Sequence, residues 1–341
     1  MRYDVTIGIP VYNSEAYIRR AMESAMAQTY CSVELLIVDD GSIDDSLCVI
    51  ESILKENERT ENVRVISHRN NMGVSATRNE IINKAEGEYL FFMDSDDEIA
   101  NFTISLLMDN ARRYDAEMVF GSYEKIEIDG QRKVYKYPSV QFLEREQLAR
   151  FAYRKYAGIQ ASACNYLIKT SLLRDNNLCF IDANFWEDFV FTFELVTYVS
   201  RAVLLPDITY SYCCREGSLS HYQKRLNIPK AEVLNNVRAI NHLKDSSCVY
   251  KDKDYFPNRC LAIVLTDFYI SCNVIKKRKN IVPAISNKEI RSFMRHPALL
   301  SQIVHFKQSR FKNLIFFVVS ASPPFVCVFF IWLLGKIKSL I

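Results

Sequence analysis

Through the first 120 residues, short apolar runs alternate with longer stretches whose apolar positions recur at helical spacing, the pattern of βαβ units that build a parallel sheet. Val5-Thr6-Ile7-Gly8-Ile9 reads as a strand ending at Pro10, and Ser14 to Gln28 as a helix with Ser14 as its cap. Glu34 to Val38 is the second strand; after Asp39-Asp40-Gly41-Ser42, Asp44 is placed to cap a helix running to about Asn57. Val63 to Ser67 is the third, followed by Asn70-Asn71-Met72-Gly73 and a helix from Val74 to Ala85. Tyr89 to Met93 is the fourth: five apolar residues in a row, as expected of a strand covered on both faces.

That fourth run meets Asp94-Ser95-Asp96-Asp97-Glu98, so the chain must leave the sheet where polarity jumps. Three carboxylates within four residues repel one another unless a cation or a donor-rich ligand neutralises them, and hard divalent ions prefer oxygen ligands. A solvated acidic turn satisfies the same residues. Topology adds a second argument: Tyr12-Asn13, Asp39-Asp40 and Asp94 to Asp97 all follow strands, and parallel strands bring such ends to one side of the sheet, where ligands bind in open α/β folds.

Beyond Gly121 the pattern loosens. Tyr123 to Ile128 and Arg132 to Tyr137 flank Asp129-Gly130, a hairpin signal, and Glu144 to Tyr156 looks helical. Asn165 to Ile168 and Val203 to Leu205 read as short strands with a helix from about Glu187 to Tyr198 between them. From Pro229 to Lys279 the chain is mostly helical, with Val233, Val237, Ile240 and Leu243 as a core stripe.

The last segment differs: Asn313 to Gly335 carries no charge over 23 residues, enough for a helix of roughly 34 Å, about the thickness of a bilayer core. Pro323-Pro324 at its centre would kink a spanning helix or divide it into two short helices dipping into one leaflet. Arg310 and Lys312 before it and Lys336 and Lys338 after it give no orientation. A buried hairpin in the core or at a subunit interface is the other reading.

Composition sharpens this only at the margins. At 341 residues the chain can bury a sizeable core, and 43 Lys and Arg against 40 Asp and Glu, a net charge of +3, give no reason to expect nucleic acid. The ten cysteines form no C-x-x-C pair and no secretory signal opens the chain, which suits free thiols in a reducing cytosol. Met1 to Val5 leads into a strand, so any membrane address is expected elsewhere.

Ile9-Pro10-Val11-Tyr12-Asn13, Val38-Asp39-Asp40-Gly41-Ser42, Asn71-Met72-Gly73-Val74-Ser75-Ala76-Thr77-Arg78-Asn79, Gly87-Glu88-Tyr89 and Met93-Asp94-Ser95-Asp96-Asp97 resemble, in order and spacing, the successive motifs of family-2 glycosyltransferases. The resemblance is strong over residues 3 to 125 and weaker to about 225. It implies an α/β enzyme of the GT-A, Rossmann-like fold, a mostly parallel central sheet flanked by helices, that transfers a sugar with inversion from a nucleoside diphosphate sugar with Mg²⁺ or Mn²⁺.

The resemblance also implies roles. Pro10, Tyr12 and Asn13 would line the nucleotide, with the Tyr12 ring offering a face on which a base stacks; packing against the next helix is the alternative. Asp40 is the nearer analogue of the residue that accepts the imide N–H of uracil, with Asp39 fixing the loop. Arg78 would approach the nucleotide as a forked donor, or else form a surface salt bridge. Asp94 would bind ribose, with Ser95 beside it, while Asp96 holds the metal and Asp97 either binds it too or orients Asp96. Glu187-Asp188, at a helical start, resembles the family's Glu-Asp motif, which makes Asp188 the base and Glu187 the fallback; complementing a helix N-terminus is a compatible role. Tyr212 to His221 resembles the segment closing over the diphosphate, with Arg215, Ser218, Ser220 and His221 as donors and His221 as a further metal ligand; a flexible polar loop fits the same residues.

No Gln-x-x-Arg-Trp motif is present, which favours transfer of a single residue over polymerisation. The expectation is a catalytic domain over residues 1–225, a helical extension over 226–310 and a membrane-associating segment over 311–341, held at the cytoplasmic face of the membrane. It would use a UDP-linked donor and a saccharide or lipid-linked acceptor in cell-surface polysaccharide synthesis. A nucleotidyltransferase is the alternative enzyme, although Pro10-Val11-Tyr12-Asn13 is no Gly-rich phosphate loop. A nucleotide-sugar-binding protein without turnover is the other.

Overall fold

The computed structural model describes residues 2–57, 60–154, 158–183, 185–215 and 227–341. The chain divides into two compact units, Met1–Leu148 with Ala161–Asp182 and Glu187–His221, and Ala149–Gln160 with Ala183–Trp186 and Tyr222–Ile341.

In the first unit β1 (Tyr3–Val11), α1 (Ile18–Met26), β2 (Val33–Asp39), α2 (Ser46–Glu56), β3 (Val63–Ser67), α3 (Val74–Lys84) and β4 (Gly87–Phe92) follow the alternation expected. β5 (Glu98–Ile99), α4 (Thr103–Tyr114), β6 (Met118–Ile126), β7 (Arg132–Tyr135), β8 (Val140–Phe142), α5 (Gln147–Arg154), β9 (Tyr166–Lys169), α6 (Thr170–Asp175), α7 (Glu187–Leu195) and β10 (Ala202–Cys213) come after, with all of α5 beyond Leu148 belonging to the second unit. The sheet runs β3-β2-β1-β4-β9-β6-β10-β5, with β7 on β6 and β8 on β10. β3, β2, β1 and β4 are mutually parallel, and their register sets Val11 beside Asp39 and Asp39 beside Ser67 at one edge. The three polar strand ends therefore do share a side.

Burial explains where the strands stop. From Val5 to Val11 and from Tyr89 to Phe92 every residue is buried, each large side chain stabilising by roughly 1.5–3 kcal/mol, and polar residues follow, Tyr12-Asn13 after β1 and Asp94 just past β4. β9 runs against both β4 and β6, making the sheet mixed beyond β4. The Asp129-Gly130 turn joins β6 to β7 as a hairpin, with Gly130 at φ 82°. Ser14 does not cap α1, whose N-cap is Tyr17; buried at the strand edge, its hydroxyl instead meets Ser95 Oγ at 2.7 Å.

The second unit is helical: α8 (Lys230–Ser246), α9 (Phe256–Lys276), α10 (Asn287–Phe293), α11 (Leu300–Ile303), α12 (Arg310–Ala321) and α13 (Pro324–Ile337). Lys244 and Asp267 pair at 2.7 Å with both side chains wholly buried, tying α8 to α9. Pro323 and Pro324 divide the uncharged tail into two helices, stopping α12 and starting α13. Among the described residues no helix is long and apolar enough to cross a membrane.

Candidate active site

The β2–α2 and β3–α3 loops interlock before any ligand is considered. Gly41, at φ 69°, lies so close to the neighbouring loop that a Cβ would meet the Asn70 backbone at 2.8 Å. Asp40, buried beside it, accepts Met72 N–H and Gly73 N–H at 2.8 Å each and lies 2.7 Å from His68 Nδ1, while His68 Nε2 lies 2.8 Å from Glu80. Burial works against charge on His68, but the two carboxylates outweigh it and raise its pKa. Asp40 thus spends both oxygens on the loop, whereas Asp39 accepts Ser42 N–H on Oδ2 and, among the described residues, its buried Oδ1 has no partner. Asn13, at φ 48°, clamps the same corner by accepting Ile43 N–H and donating its own N–H to Ser42 Oγ. Tyr12 is 43% exposed, so its ring is available rather than packed away.

A second group centres on Arg78, 3% exposed on α3. Its Nη1 donates to Asp188 at 2.5 Å and Glu187 at 3.2 Å, and its Nη2 to Asp94 at 2.9 Å. Its guanidinium lies over the Phe180 ring, 5.4 Å from the centroid. Arg78 is therefore neither a surface salt bridge nor a free fork, because three carboxylates occupy it. Glu187 and Asp188 open α7, as expected. Burial pushes the Asp188 carboxyl up to about 7 against the pull of Arg78, with Glu187 adding like-charge repulsion, and raises Glu187 as well.

The acidic edge is the third group. Asp94, Asp96 and Asp97 each offer an oxygen within 4.8 Å of the others, a spacing one divalent ion could bridge. Asp97 is tied down, accepting the Tyr210 hydroxyl at 2.6 Å and Cys213 N–H at 2.8 Å, whereas Asp96 pairs with Arg215, whose guanidinium lies 5.1 Å from the Tyr17 ring centroid. Burial first, then neighbouring carboxylates, raise both Asp96 and Asp97. The Ser95 hydroxyl lies 2.7 Å from that of Ser14. Pro10 is buried within β1. Ser218, Ser220 and His221 lie outside the described residues.

Tyr210, Phe180 and His68 escaped the sequence reading. His68 was within reach, since it directly follows β3 as the other polar ends follow their strands; Tyr210 sits in a β10 extended well past Leu205, with nothing in the sequence tying it to the acids.

The α/β sheet carries an acid cluster at one edge and, joined to it through Arg78, a buried carboxylate pair, and the chain is similar to known proteins. Residues 6–175 match the family model "Glycosyl transferase family 2", and the chain belongs to that family through them. Glycosyltransferase GlyG of Streptococcus pneumoniae is 27% identical over 224 residues, 63% of this chain and 72% of its own. Succinoglycan biosynthesis protein ExoO of Rhizobium meliloti is 27% identical over 223 residues, 64% of this chain and 62% of its own. Among solved structures, S. aureus TarS 1-349 in complex with UDP-GlcNAc superposes with a TM-score of 0.62 at 20% identity, covering 93% of this chain and 90% of that one, which shows a shared fold. Across the curated relatives it matches the chain spans from 28% to 86% of their length.

Proposed function

We propose that the protein transfers a sugar from a nucleoside diphosphate sugar, UDP-linked, to a hydroxyl of a saccharide or lipid-linked acceptor with inversion, in the assembly of a cell-surface polysaccharide. The observation that carries the reading is Arg78, whose single guanidinium joins Asp94 of the acidic edge to Asp188 of the carboxylate pair. A site for a departing diphosphate and a candidate base thus flank one buried cation.

In this reading Asp188 takes the acceptor's hydroxyl proton as the acceptor oxygen bonds to the anomeric carbon and the bond from that carbon to the diphosphate oxygen breaks. The raised pKa makes Asp188 a stronger base than an ordinary carboxylate. Asp96, with Asp97 and Asp94, would hold Mg²⁺ or Mn²⁺; all-oxygen donors suit these ions, and the ion would offset charge on the leaving diphosphate. Arg215 neutralises Asp96 otherwise, and so belongs beside the diphosphate. The UDP assignment takes support from the TarS complex with UDP-GlcNAc, and the polysaccharide setting from ExoO.

Asp39, not Asp40, is our candidate for the base N–H, because its buried Oδ1 has no partner among the described residues. Asp39→Asn is expected to weaken UDP binding about 10- to 100-fold, the scale of a hydrogen bond to a charged group, with little change in Tm. Asp40→Asn should instead lower Tm, since two loop N–H groups depend on it. Titration calorimetry beside thermal melts would separate the two, and a Tm loss in both variants with equal affinities would sink the assignment.

A thermal-shift panel of nucleotide sugars with Mn²⁺ tests the whole reading, because a ligand that binds only the folded state raises Tm by mass action. The Mn²⁺ increment should be larger at pH 8 than at pH 5. With Asp96 and Asp97 raised above their unfolded values, the folded state binds more protons between the two pKa values, and stability is lost as pH rises until a cation replaces those protons. Release of nucleoside diphosphate from the donors that bind completes the test. Pyrophosphate release from a nucleoside triphosphate, with no shift for any diphosphate sugar, would replace the reading with a nucleotidyltransferase.

A further inference from the structure

Independently of the transfer chemistry, we propose that α12 and α13 form a wedge that seats the protein in one leaflet of an anionic lipid surface. The roll of each helix is fixed from inside. Asn313, fully buried, lies 3.0 Å from His296 Nε2 through Oδ1 and donates to Pro257 O at 3.0 Å, and Phe316 and Val319 continue its face inward. On α13 the inward stripe is Cys327, Ile331 and Gly335, and a Cβ on Gly335 would meet Cys272 Sγ of α9 at 3.0 Å. Arg291 donates to Ser320 O at 3.0 Å, holding the end of α12. Firm seating on one side leaves the opposite stripes outward: Phe311, Ile315 and Val318 on α12, and Phe325, Phe329 and Trp332 on α13, each at i, i+4, i+7. Phe311 is 74% and Phe325 69% exposed, an unusual density of bare aromatic surface for two adjacent helices.

Charge decides the occupant. From residue 290 to 341 there is no Asp or Glu, while Lys and Arg number seven. Arg310 and Lys312 sit in the first turn of α12, where no acid offsets them and the helix dipole disfavours cations, and Lys336 lies in the last turn of α13. Lys276, at the end of α9, reaches Leu340 O at 3.4 Å and adds to the basic rim. A twofold pairing with a second copy would press this rim against itself, whereas lipid phosphates would neutralise it at about 1 kcal/mol, or fivefold in binding, per cation. At roughly 18 and 21 Å, helices of 12 and 14 residues fall short of the ~30 Å hydrocarbon core, so the wedge enters one leaflet with its aromatics and leaves its cations among headgroups.

Flotation of the full chain with phosphatidylcholine vesicles, with and without phosphatidylglycerol, tests the proposal without reference to activity. Binding is expected only to the anionic vesicles, about fivefold weaker for each of Lys336→Gln and Lys338→Gln and lost in Phe325→Ser/Phe329→Ser, whose Tm should match the parent because both rings are exposed. Lipids brominated along the acyl chain should quench part of the fluorescence, and that part should vanish in Trp332→Phe. No flotation with anionic vesicles, or flotation without acyl-chain quenching of Trp332, would overturn it. So would a dimer in sedimentation equilibrium that Phe329→Glu disperses, since the face would then belong to a second copy.

Discussion

Asp188→Asn is expected to lower kcat by about 10²–10⁴-fold, the range set by loss of a positioned general base, while leaving Tm within a degree or two. The fold should survive because Asn keeps a carbonyl oxygen that can accept from Arg78 Nη1, the bond that now holds Asp188. What Asn cannot do is take a proton. The pH profile separates this from a merely structural effect. A base must be ionised to act, and with its carboxyl pushed up to about 7 the parent's kcat should fall as pH drops through that value. In Asp188→Asn the residual rate should lose that acid limb. Glu187→Gln should cost far less and keep the limb, because Glu187 sits 3.2 Å from Arg78 as a partner rather than as the proton acceptor. A parental acid limb in Asp188→Asn, or the larger loss in Glu187→Gln, would transfer the role to Glu187.

The sheet edge was legible in the sequence because two independent patterns coincide there. Buried strands demand apolar runs, and the runs ending at Val11, Val38 and Met93 are each followed directly by polar residues, Tyr12-Asn13, Asp39-Asp40 and Asp94. The antiparallel insertion of β9 between β4 and β6 was not legible, since four residues, Tyr166–Lys169, carry no sign of direction. Nor were the different partners of Asp39 and Asp40: adjacent, identical side chains meet different loop N–H groups, and the approach of the β3–α3 loop to Asp40 depends on Gly41 leaving room for Asn70. The pairing of Arg78 with Asp188 joins residues 110 positions apart and became visible only once α3 and α7 were placed. The carboxylates that fill Arg78 were not legible either, because a fork aimed at a ligand and a fork already paired have the same local sequence.

Arg78→Met should be the most destabilising single change in the site, by about 3–5 kcal/mol near pH 8, the usual cost of removing one partner from a buried charge cluster. The thioether can fill part of the space against Phe180, so the loss is chiefly electrostatic: Asp94, Glu187 and Asp188 would remain together with no cation between them. The pH dependence follows. Burial already raises Glu187 and Asp188 above their unfolded values, and without Arg78, which opposes that rise in both, they move higher. Between the unfolded and folded pKa values the folded state binds more protons, so stability is gained as pH falls across that window and lost as pH rises through it. Urea unfolding of Arg78→Met should accordingly show a large deficit at pH 8 that shrinks by pH 5.5, with a shallower trend of the same sign in the parent. Arg78→Lys should fall between the two, since one ammonium cannot serve both sides of the cluster as the guanidinium does. A deficit equal at both pH values would mean that Arg78 contributes through its contact with Phe180, and the cluster would then have to be stabilised by something other than this cation.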